Sequence, residues 1–473
     1  MTGIFELWRL GVVELGVALA RRELSPVGAL ESCLARIERL NPTLNAVVTL
    51  NRTALEEARA SERRHRQGEV KGPLDGVPIT VKDNLFAAGM PATWGSRLFA
   101  NFVPAEDERP VARLRAAGAV VVGKTNVPEF TLDGYTSNAL FDTTGNPWNP
   151  RLTPGGSSGG AVASVAAGMV PAAIGTDGGG SIRRPAGHTG LVGLKPTIGR
   201  IPRHGGFPHV LLDFKVAGPL SRSVADAALL FEAMAAPDPR VDNSHGFGRP
   251  SVELKRPPGR LRILYVERFG DAPLDPVIAR SVARAADALA ALGHEVKTGP
   301  LPFDLEPITA FWPVIGQVGL AHLLELHADR RGLVGETYLR MAEAGRQVPA
   351  ARYLAGLETV RGFRADVAGI FERIDVILTP SAAAQPWLAN QPFPPEIDGQ
   401  SVGPRGHAVY TGWVNACGHP AIALPADPAP DGMPIGFQLI GRFGADELLL
   451  RLARQYEQAR PWADRWPALA LSR

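Results

Sequence analysis

Cysteine is scarce in this sequence. Only Cys33 and Cys417 occur among 473 residues, and they lie far apart, with neither companion cysteines nor the histidine spacing of a zinc site. We therefore expect both cysteines to pack as small hydrophobic side chains, and we predict no zinc site.

The chain also lacks a strong excess of charge of one sign. Its formal net charge is +3, and basic residues are spread along its length. The densest basic group falls in a predicted helix and consists of Arg59, Arg63, Arg64 and Arg66. On an exposed helix face such a group is typical of solvated surface, so the sequence does not predict a nucleic-acid partner.

We expect no secretion signal in residues 1–20. Residues 1–20 are apolar in places, but Glu6 and Glu14 interrupt them and no basic segment precedes a continuous hydrophobic core. We expect a soluble cytoplasmic protein without a membrane partner.

Short apolar runs bounded by glycine or proline are frequent. Hydrophobic residues make up 45% and charged residues 21% of the chain, close to an average soluble protein. The runs that we predict as strands are 77–81, 119–123, 169–174, 191–194, 261–266, 374–378, 421–424 and 435–440. They suit strands buried on both faces, and they alternate with helical patterns. The prediction is an α/β fold, a three-layer α/β/α sandwich around a large mixed, mostly parallel sheet.

We predict a single domain over residues 1–473. Residues 1–70 are expected to form a helical N-terminal cap, 71–235 a core with the catalytic residues, and 236–260 a linker. Residues 261–473 are expected to complete the same sheet and the substrate pocket. The loop 384–405 is rich in proline and glycine and lacks periodicity. Loops of that length are usually functional or disordered, and we expect this one to face the substrate.

Two glycine-rich segments, 153–160 and 176–186, each contain a candidate catalytic serine. Ser181 follows three glycines whose backbone N–H groups can converge on a developing oxyanion, which suits a nucleophile. Ser157 can accept and donate a proton and so relay it to a base. The alternatives are structural: a tight turn feeding a helix at Ser181, and a cap of helix 161–167 at Ser157 or Ser158.

Two other interpretations of the first glycine segment are weaker. A phosphate loop requires Gly-Lys-Ser/Thr at its end, and residues 159–161 are Gly-Gly-Ala. The segment also fits a nucleophile elbow with Ser158 as nucleophile. Residues 149–154 contain two prolines, however, and do not form the buried strand that an elbow must follow. His419, the most suggestive histidine for such a triad, lies beside Pro420 and favours a turn or core position.

The base that remains is a lysine. Lys82 ends an apolar strand, and Lys124 and Lys195 fit the same description. A lysine that is neutral at pH 7 needs roughly 4 to 5 kcal/mol of differential stabilisation, which burial can supply. A carboxylate in direct contact with the lysine would stabilise its charged form and so oppose this neutral state. These residues alone leave the choice among the three lysines open.

The sequence resembles the amidase signature family, serine hydrolases that cleave carbon–nitrogen amide bonds. The resemblance covers nearly the whole chain and rests on residues 76–83, 123–126, 155–160, 177–186 and 190–196. It implies that Ser181 is the nucleophile of an acyl-enzyme and that Lys82 is the base. Ser157 would be the bridging serine, on an unusual cis peptide bond after Gly156.

The resemblance also implies an oxyanion hole and a supporting set of side chains. The oxyanion donors would be the backbone N–H groups of Gly178, Gly179, Gly180 and Ser181. The supporting residues would be Asp177, Arg183 and Ser158. No metal or other cofactor is implied, and a homodimer is consistent with the family.

The expected activity is hydrolysis of a small-molecule carboxamide to a carboxylate and ammonia or an amine. The candidate substrate-contacting residues are Tyr135, Thr136, Phe207, Trp312 and Trp413. The main alternative is the glutaminase subunit of a tRNA-dependent amidotransferase, which works with partner subunits. Residues 335–361 do not match the helical pattern that we expect of that subunit. A non-catalytic ligand-binding protein is a third alternative, disfavoured because all three catalytic positions are filled.

Overall fold

An eleven-stranded sheet contains strands from the whole length of the chain, and the computed structural model describes residues 4–471. The strands are β1 (Val47–Leu50), β2 (Pro78–Lys82), β3 (Val120–Thr125), β4 (Ser137–Asn138), β5 (Asp142–Thr143), β6 (Ala172–Asp177), β7 (Val192–Lys195), β8 (Val216–Ser221), β9 (Arg262–Tyr265), β10 (Glu295–Thr298), β11 (Val376–Pro380), β12 (Glu396–Ile397), β13 (Gln400–Ser401), β14 (Ala421–Pro425) and β15 (Gly436–Gly441). Two small hairpins, β4–β5 and β12–β13, lie outside the large sheet.

The strand order of the large sheet is β1-β3-β2-β6-β8-β7-β14-β15-β11-β9-β10. The sheet is mixed, as predicted, but it is not mostly parallel. Only the pairs β3–β2, β2–β6, β11–β9 and β9–β10 are parallel, and the other six are antiparallel. The predicted strand direction was wrong because it was inferred from strands that are apolar on both faces. Helices cover both faces of this sheet, so its antiparallel strands are as apolar as parallel ones.

Helices cover both faces of the sheet and make three layers. They are α1 (Val12–Ala20), α2 (Pro26–Leu44), α3 (Ala54–Gln67), α4 (Arg109–Ala116), α5 (Gly159–Ala166), α6 (Arg183–Thr189), α7 (Val224–Met234), α8 (Pro276–Ala291), α9 (Glu306–Glu325), α10 (Glu336–Arg346), α11 (Ala350–Ile370), α12 (Gly412–Cys417), α13 (Asp446–Ala459) and α14 (Ala468–Leu471).

Alternation of side chains along the strands divides the core. In β6, Ala172 and Ile174 pack in one cluster with α1, α7, α8 and α13, whereas Ala173 points to the opposite face, with α2 and α5. A third cluster, built on α9, α11 and α12, continues that second face. This is the period-two pattern of a strand between two helical layers. The predicted three-layer α/β/α sandwich is therefore present.

The first 70 residues are not purely a helical cap. Within their described part, α1 to α3 are joined by β1, which pairs antiparallel with β3 at the edge of the large sheet. Ser25 caps α2 by accepting a hydrogen bond of 3.0 Å from the Gly28 N–H, as its position before Pro26 predicts.

One helix among the described residues, α9, is long and apolar enough to cross a membrane. Its apolar window is 56% buried inside the protein, and it packs against α10 and α11. These contacts place α9 in the core of the protein.

Candidate active site

The two candidate catalytic loops meet at one edge of the sheet. Lys82 is the last residue of β2, and residues 178–182 connect β6 to α6. Because β2 and β6 are parallel neighbours, with Val81 opposite Ile174, their carboxyl ends lie side by side. Ser157 lies in the loop just before α5, and its peptide bond with Gly156 is cis. The backbone joins the two serine loops, since Ser158 N–H donates to the Ser181 carbonyl at 3.2 Å.

Lys82 is fully buried and contacts two hydroxyl groups. Its Nζ lies 2.9 Å from Ser157 Oγ, 2.8 Å from Ser158 Oγ and 3.1 Å from the Thr176 carbonyl oxygen. The other two lysines contact only carbonyl oxygens. Those of Lys124 belong to Asp83, Leu85 and Pro91, and those of Lys195 belong to Pro196 and His419. Only Lys82, of the three, is placed to exchange a proton with a serine.

The environment of Lys82 disfavours its charged form. Burial, followed by the positive charge of Lys215, holds its pKa well below the ordinary value for lysine, and the negative charge of Asp177 opposes them. In the described chain, no carboxylate forms an ion pair with Nζ, and the neighbouring Asp83 carboxylate turns away to accept from Thr93 Oγ1 at 2.6 Å. A neutral amine is thus compatible with this position.

Ser157 and Ser181 reach the same cavity, whereas Ser158 does not. The Ser158 hydroxyl is fully buried and donates to the Thr176 carbonyl oxygen at 3.2 Å, besides its contact with Lys82. Ser158 occupies the N-cap position of α5, yet its side chain makes no capping hydrogen bond. Ser181 is 7% exposed at the cavity, and its hydroxyl makes no hydrogen bond to any residue between 4 and 471. This geometry disfavours the elbow interpretation, because a nucleophile must be accessible.

The glycine loop offers a different donor set from the one expected. The Gly180 N–H donates to Asp177 Oδ1 at 2.6 Å and is therefore not free for an oxyanion. The N–H groups of Gly178, Gly179 and Ser181 make no hydrogen bond within the described residues. Gly180 instead supplies a backbone conformation: its φ is +116°, and a Cβ there would lie 2.2 Å from Thr411 Oγ1. The expectation for Gly180 is corrected from oxyanion donor to turn former.

Asp177 and Arg183 form a fully buried, bidentate ion pair that holds this loop. Arg183 Nε lies 3.0 Å from Asp177 Oδ2, and Nη2 lies 3.1 Å from Oδ1. The guanidinium also donates to Asn415 Oδ1 at 2.6 Å and Gln438 Oε1 at 2.8 Å. Burial alone would raise the pKa of Asp177, but the charge and hydrogen bonds of Arg183 outweigh it and hold the pKa well below its usual range. Both residues support the loop without facing the cavity.

A cavity of about 590 Å³ opens over Ser157 and Ser181. Of the five predicted substrate-contacting residues, Tyr135 and Trp312 line it. The other three do not, which corrects those predictions. Thr136 is buried and donates to the Gly155 carbonyl oxygen, Phe207 stacks on Trp94, and Trp413 packs against Phe303. The loop 384–405 contributes Pro392, Phe393, Pro404 and Arg405 to the cavity wall.

Several cavity residues were missed at the level of sequence. The charged and tyrosine side chains among them are Asp133, Arg184, Lys215, Tyr338 and Arg405. Arg184 lies inside a recognised motif and could have been found there. Arg405 ends the loop 384–405, which we expected to face the substrate. Asp133, Lys215 and Tyr338 come from segments without a motif, and only the fold brings them to the serines. The Tyr338 hydroxyl donates a short hydrogen bond to the Asp133 carboxylate across this wall.

Comparisons with known proteins identify the family of the chain. The amidase family model matches residues 28–450. The chain is 35% identical to the A subunit of the glutamyl-tRNA(Gln) amidotransferase of Azotobacter vinelandii, over 97% of this chain and 99% of that protein. Other curated relatives of the same name match at 33–35% identity over nearly their full lengths.

Similar solved structures include an acylamidase and a cyclic dimer hydrolase. A bacterial aryl acylamidase of the amidase signature family has a TM-score of 0.89 at 28% identity, covering 98% of this chain and 99% of that one. The 6-aminohexanoate cyclic dimer hydrolase, solved with its substrate, has a TM-score of 0.88 at 30% identity, covering 98% and 100%. From the family match, the relatives and the shared fold, we conclude that this chain belongs to the amidase signature family of hydrolases.

Proposed function

We propose that this protein hydrolyses the carbon–nitrogen bond of a carboxamide, with Ser181 as nucleophile, Ser157 as proton relay and Lys82 as base. The observation that carries the proposal is the 2.9 Å contact between a buried Lys82 and Ser157, in a loop whose backbone is bonded to that of Ser181. A lysine with a pKa held below its ordinary value is the kind of base that can activate a serine near neutral pH.

The first half-reaction forms an ester and releases an amine. Ser181 Oγ attacks the amide carbonyl carbon while its proton passes to Ser157 Oγ, whose own proton passes to Lys82 Nζ. The tetrahedral oxyanion would accept hydrogen bonds from the free N–H groups of Gly178, Gly179 and Ser181. The carbon–nitrogen bond then breaks, and the protons return along the same path to the leaving nitrogen. Ammonia leaves from a primary amide and an amine from a secondary one.

The second half-reaction restores the enzyme with water. A water molecule attacks the Ser181 ester carbonyl, gives its proton to the same relay and displaces Ser181 Oγ, which recovers a proton. The products are a carboxylate and the free serine. These steps use the side chains of this chain and water, and we propose no metal or other cofactor for them.

Two physiological settings fit this chemistry. In one the chain acts alone on a small-molecule amide in the cytoplasm, as a monomer or homodimer, and the aryl acylamidase and the cyclic dimer hydrolase of the same fold support it. In the other it is the glutaminase subunit of a tRNA-dependent amidotransferase, and full-length relatives at 35% identity bear the name of an amidotransferase subunit. The curated relatives favour the second setting over the expectation drawn from residues 335–361.

The chemistry is tested by labelling and turnover. Purified protein should react with a serine-directed fluorophosphonate and release ammonia from a panel of primary amides that includes glutamine. Ser181→Ala should abolish both, and peptide mapping should place the label on Ser181. Ser158→Ala is the matched serine variant and should keep the labelling site. A label on Ser158 would revive the elbow mechanism and overturn the proposal.

The setting is tested by adding partners. Glutamine hydrolysis that starts only after glutamyl-tRNA and amidotransferase partner subunits are supplied would establish the subunit role. Turnover of other amides by the isolated chain, with no increase on adding those components, would establish free-standing action.

A further inference from the structure

Arg405 is a cation in the cavity that the protein leaves unpaired. It stands at the end of the loop 384–405 and lines the cavity that opens over Ser181. Among residues 4–471 its guanidinium makes neither a hydrogen bond nor an ion pair, and the residue as a whole is exposed to solvent at the mouth of the cavity. The neighbouring arginines differ: Arg183 is paired with Asp177, and Arg184 donates to the Gly179 carbonyl and to Thr411 Oγ1.

The position of Arg405 is defined by its contacts. Its guanidinium carbon lies 5.1 Å from the centroid of the Trp312 ring, a cation–π arrangement. Arg405 Nη2 lies 3.8 Å, and the Trp312 ring 3.1 Å, from the point that a Cβ on Gly179 would occupy. The backbone is fixed as well, since Ala408 N–H donates to the Arg405 carbonyl at 2.9 Å. Arg405 therefore borders the loop that carries the proposed oxyanion donors.

The part of the cavity between Arg405 and the Gly179 loop is positively charged. Burial, and next the charge of Arg405, lower the pKa of Arg184 to about 9, so the two guanidinium groups interact. Lys215 also faces the cavity, and burial lowers the pKa of this lysine well below its ordinary value, so the positive charge near Gly179 comes chiefly from the two arginines. The acidic residue on the cavity wall, Asp133, is bonded to the Tyr338 hydroxyl. An anion that enters this part of the cavity can accept hydrogen bonds from Arg405, and no carboxylate among the cavity-lining residues is paired with that guanidinium.

We propose that the amide substrate of this enzyme carries a carboxylate, and that Arg405, supported by the Trp312 ring, binds that carboxylate. The inference rests on the proposed amide hydrolysis and adds its substrate class. The planar fork of a guanidinium matches the two oxygens of a carboxylate, and such charged hydrogen bonds are stronger than neutral ones. Because Arg405 borders the Gly179 loop, a short spacer separates the carboxylate from the scissile amide.

The test compares matched substrates that differ only in charge. Monoamides of the three- to six-carbon dicarboxylic acids carry the carboxylate, and the corresponding diamides replace it with a neutral amide. We expect the wild-type kcat/KM to be higher for at least one monoamide than for its diamide. Arg405→Met should reduce that ratio by roughly tenfold to hundredfold, mainly through the KM of the monoamide. Arg405→Lys should restore part of it.

Arg280→Met removes an equal charge from the exposed face of α8 and should leave the ratio unchanged. A loss by Arg405→Met that is equal for monoamide and diamide would assign Arg405 to the oxyanion and overturn the proposal. Equal kcat/KM values in the wild type would overturn it too.

Failure of the amidase proposal gives a different result. In that case neither substrate is hydrolysed and Ser181 is not labelled. Glutarate binding by isothermal titration calorimetry still tests the anion site: we expect wild type to bind glutarate and Arg405→Met to bind at least tenfold more weakly. Equal binding by the two proteins, or none by the wild type, would overturn the proposal.

Discussion

Lys82 Nζ and Ser157 Oγ lie 2.9 Å apart, and the lysine is fully buried without an ion pair among the described residues. A charged ammonium in such a place is costly, so the lysine gains most by being neutral and accepting the serine proton. This pair is the part of the site on which the proposed mechanism most depends.

We predict that Lys82→Met lowers kcat by about 10²- to 10⁴-fold, the usual contribution of a general base. The free energy of unfolding should change by less than about 3 kcal/mol, because Met fills the volume and the loss of two hydroxyl contacts is partly offset by removal of a buried polar amine. Steady-state kinetics and denaturant unfolding measure the two effects. Lys124→Met, which removes an equally buried lysine bonded to carbonyl oxygens, should keep kcat within a few-fold. Normal turnover with lower stability in Lys82→Met would make Lys82 structural.

We predict a pH profile with a single acid limb set by the pKa of Lys82. The base must be neutral, so kcat/KM should rise with pH through that pKa, which lies well below the ordinary value for lysine. Lys215→Met removes the positive charge that, after burial, most lowers this pKa. The protonated form of Lys82 is then less disfavoured, its pKa rises, and the limb moves to higher pH. Lys124→Met should not move the limb. A limb that stays in place in Lys215→Met would contradict the assignment.

The sequence and the family resemblance suffice to propose Ser181, Ser157 and Lys82 as the catalytic trio, and this trio stays a prediction. Glycine runs around Ser157 and Ser181 indicate converging N–H groups. Three lysines at strand ends remain equivalent, because the sequence does not show which of these strands lies beside the serine loops. The family resemblance chose Lys82, and the register of β2 against β6 explains that choice. The role of Gly180 was predicted wrongly, because a run of glycines does not show which of its N–H groups donates to a buried carboxylate, here that of Asp177.

The cavity was predicted less well than the catalytic loops. Thr136, Phe207 and Trp413 are polar or aromatic residues near motifs, and packing rather than substrate contact explains them. Arg405 and Asp133 reach the cavity through contacts distant in sequence. The strand directions were also predicted wrongly. β14 and β15 are fully buried and pair antiparallel, and an apolar strand sequence does not show whether its neighbours run parallel or antiparallel.

We predict that Asp177→Asn destabilises the protein by about 3 to 5 kcal/mol, because it leaves the Arg183 guanidinium buried without its counter-charge. Thermal and urea unfolding measure the change. Glu336→Gln breaks an ion pair on the exposed surface of α10 and should cost at most about 1 kcal/mol. Equal, small effects of the two substitutions would mean that the buried pair contributes no more than an exposed one.

We predict that Gly180→Ala lowers kcat/KM at least tenfold. Its φ is in the region that favours glycine, and the new Cβ would lie 2.2 Å from Thr411 Oγ1 and 2.6 Å from Arg184 Nη1, so the loop carrying the oxyanion donors must shift. Gly259→Ala is the control, with open space around the added methyl group, and should leave kcat/KM unchanged. A fully active Gly180→Ala enzyme would show that the loop geometry is not needed.

The guanidinium of Arg183 joins distant parts of the sequence. It donates to acceptors on Asp177 of β6, on Asn415 of α12 and on Gln438 of β15. A nascent chain that ends before residue 411 would contain every proposed catalytic group yet would lack three Arg183 acceptors, namely Asn415, Gln438 and the Thr411 carbonyl oxygen. Hydrolytic competence is therefore expected to arise late in biosynthesis, only after the final part of the polypeptide has folded onto the earlier strands.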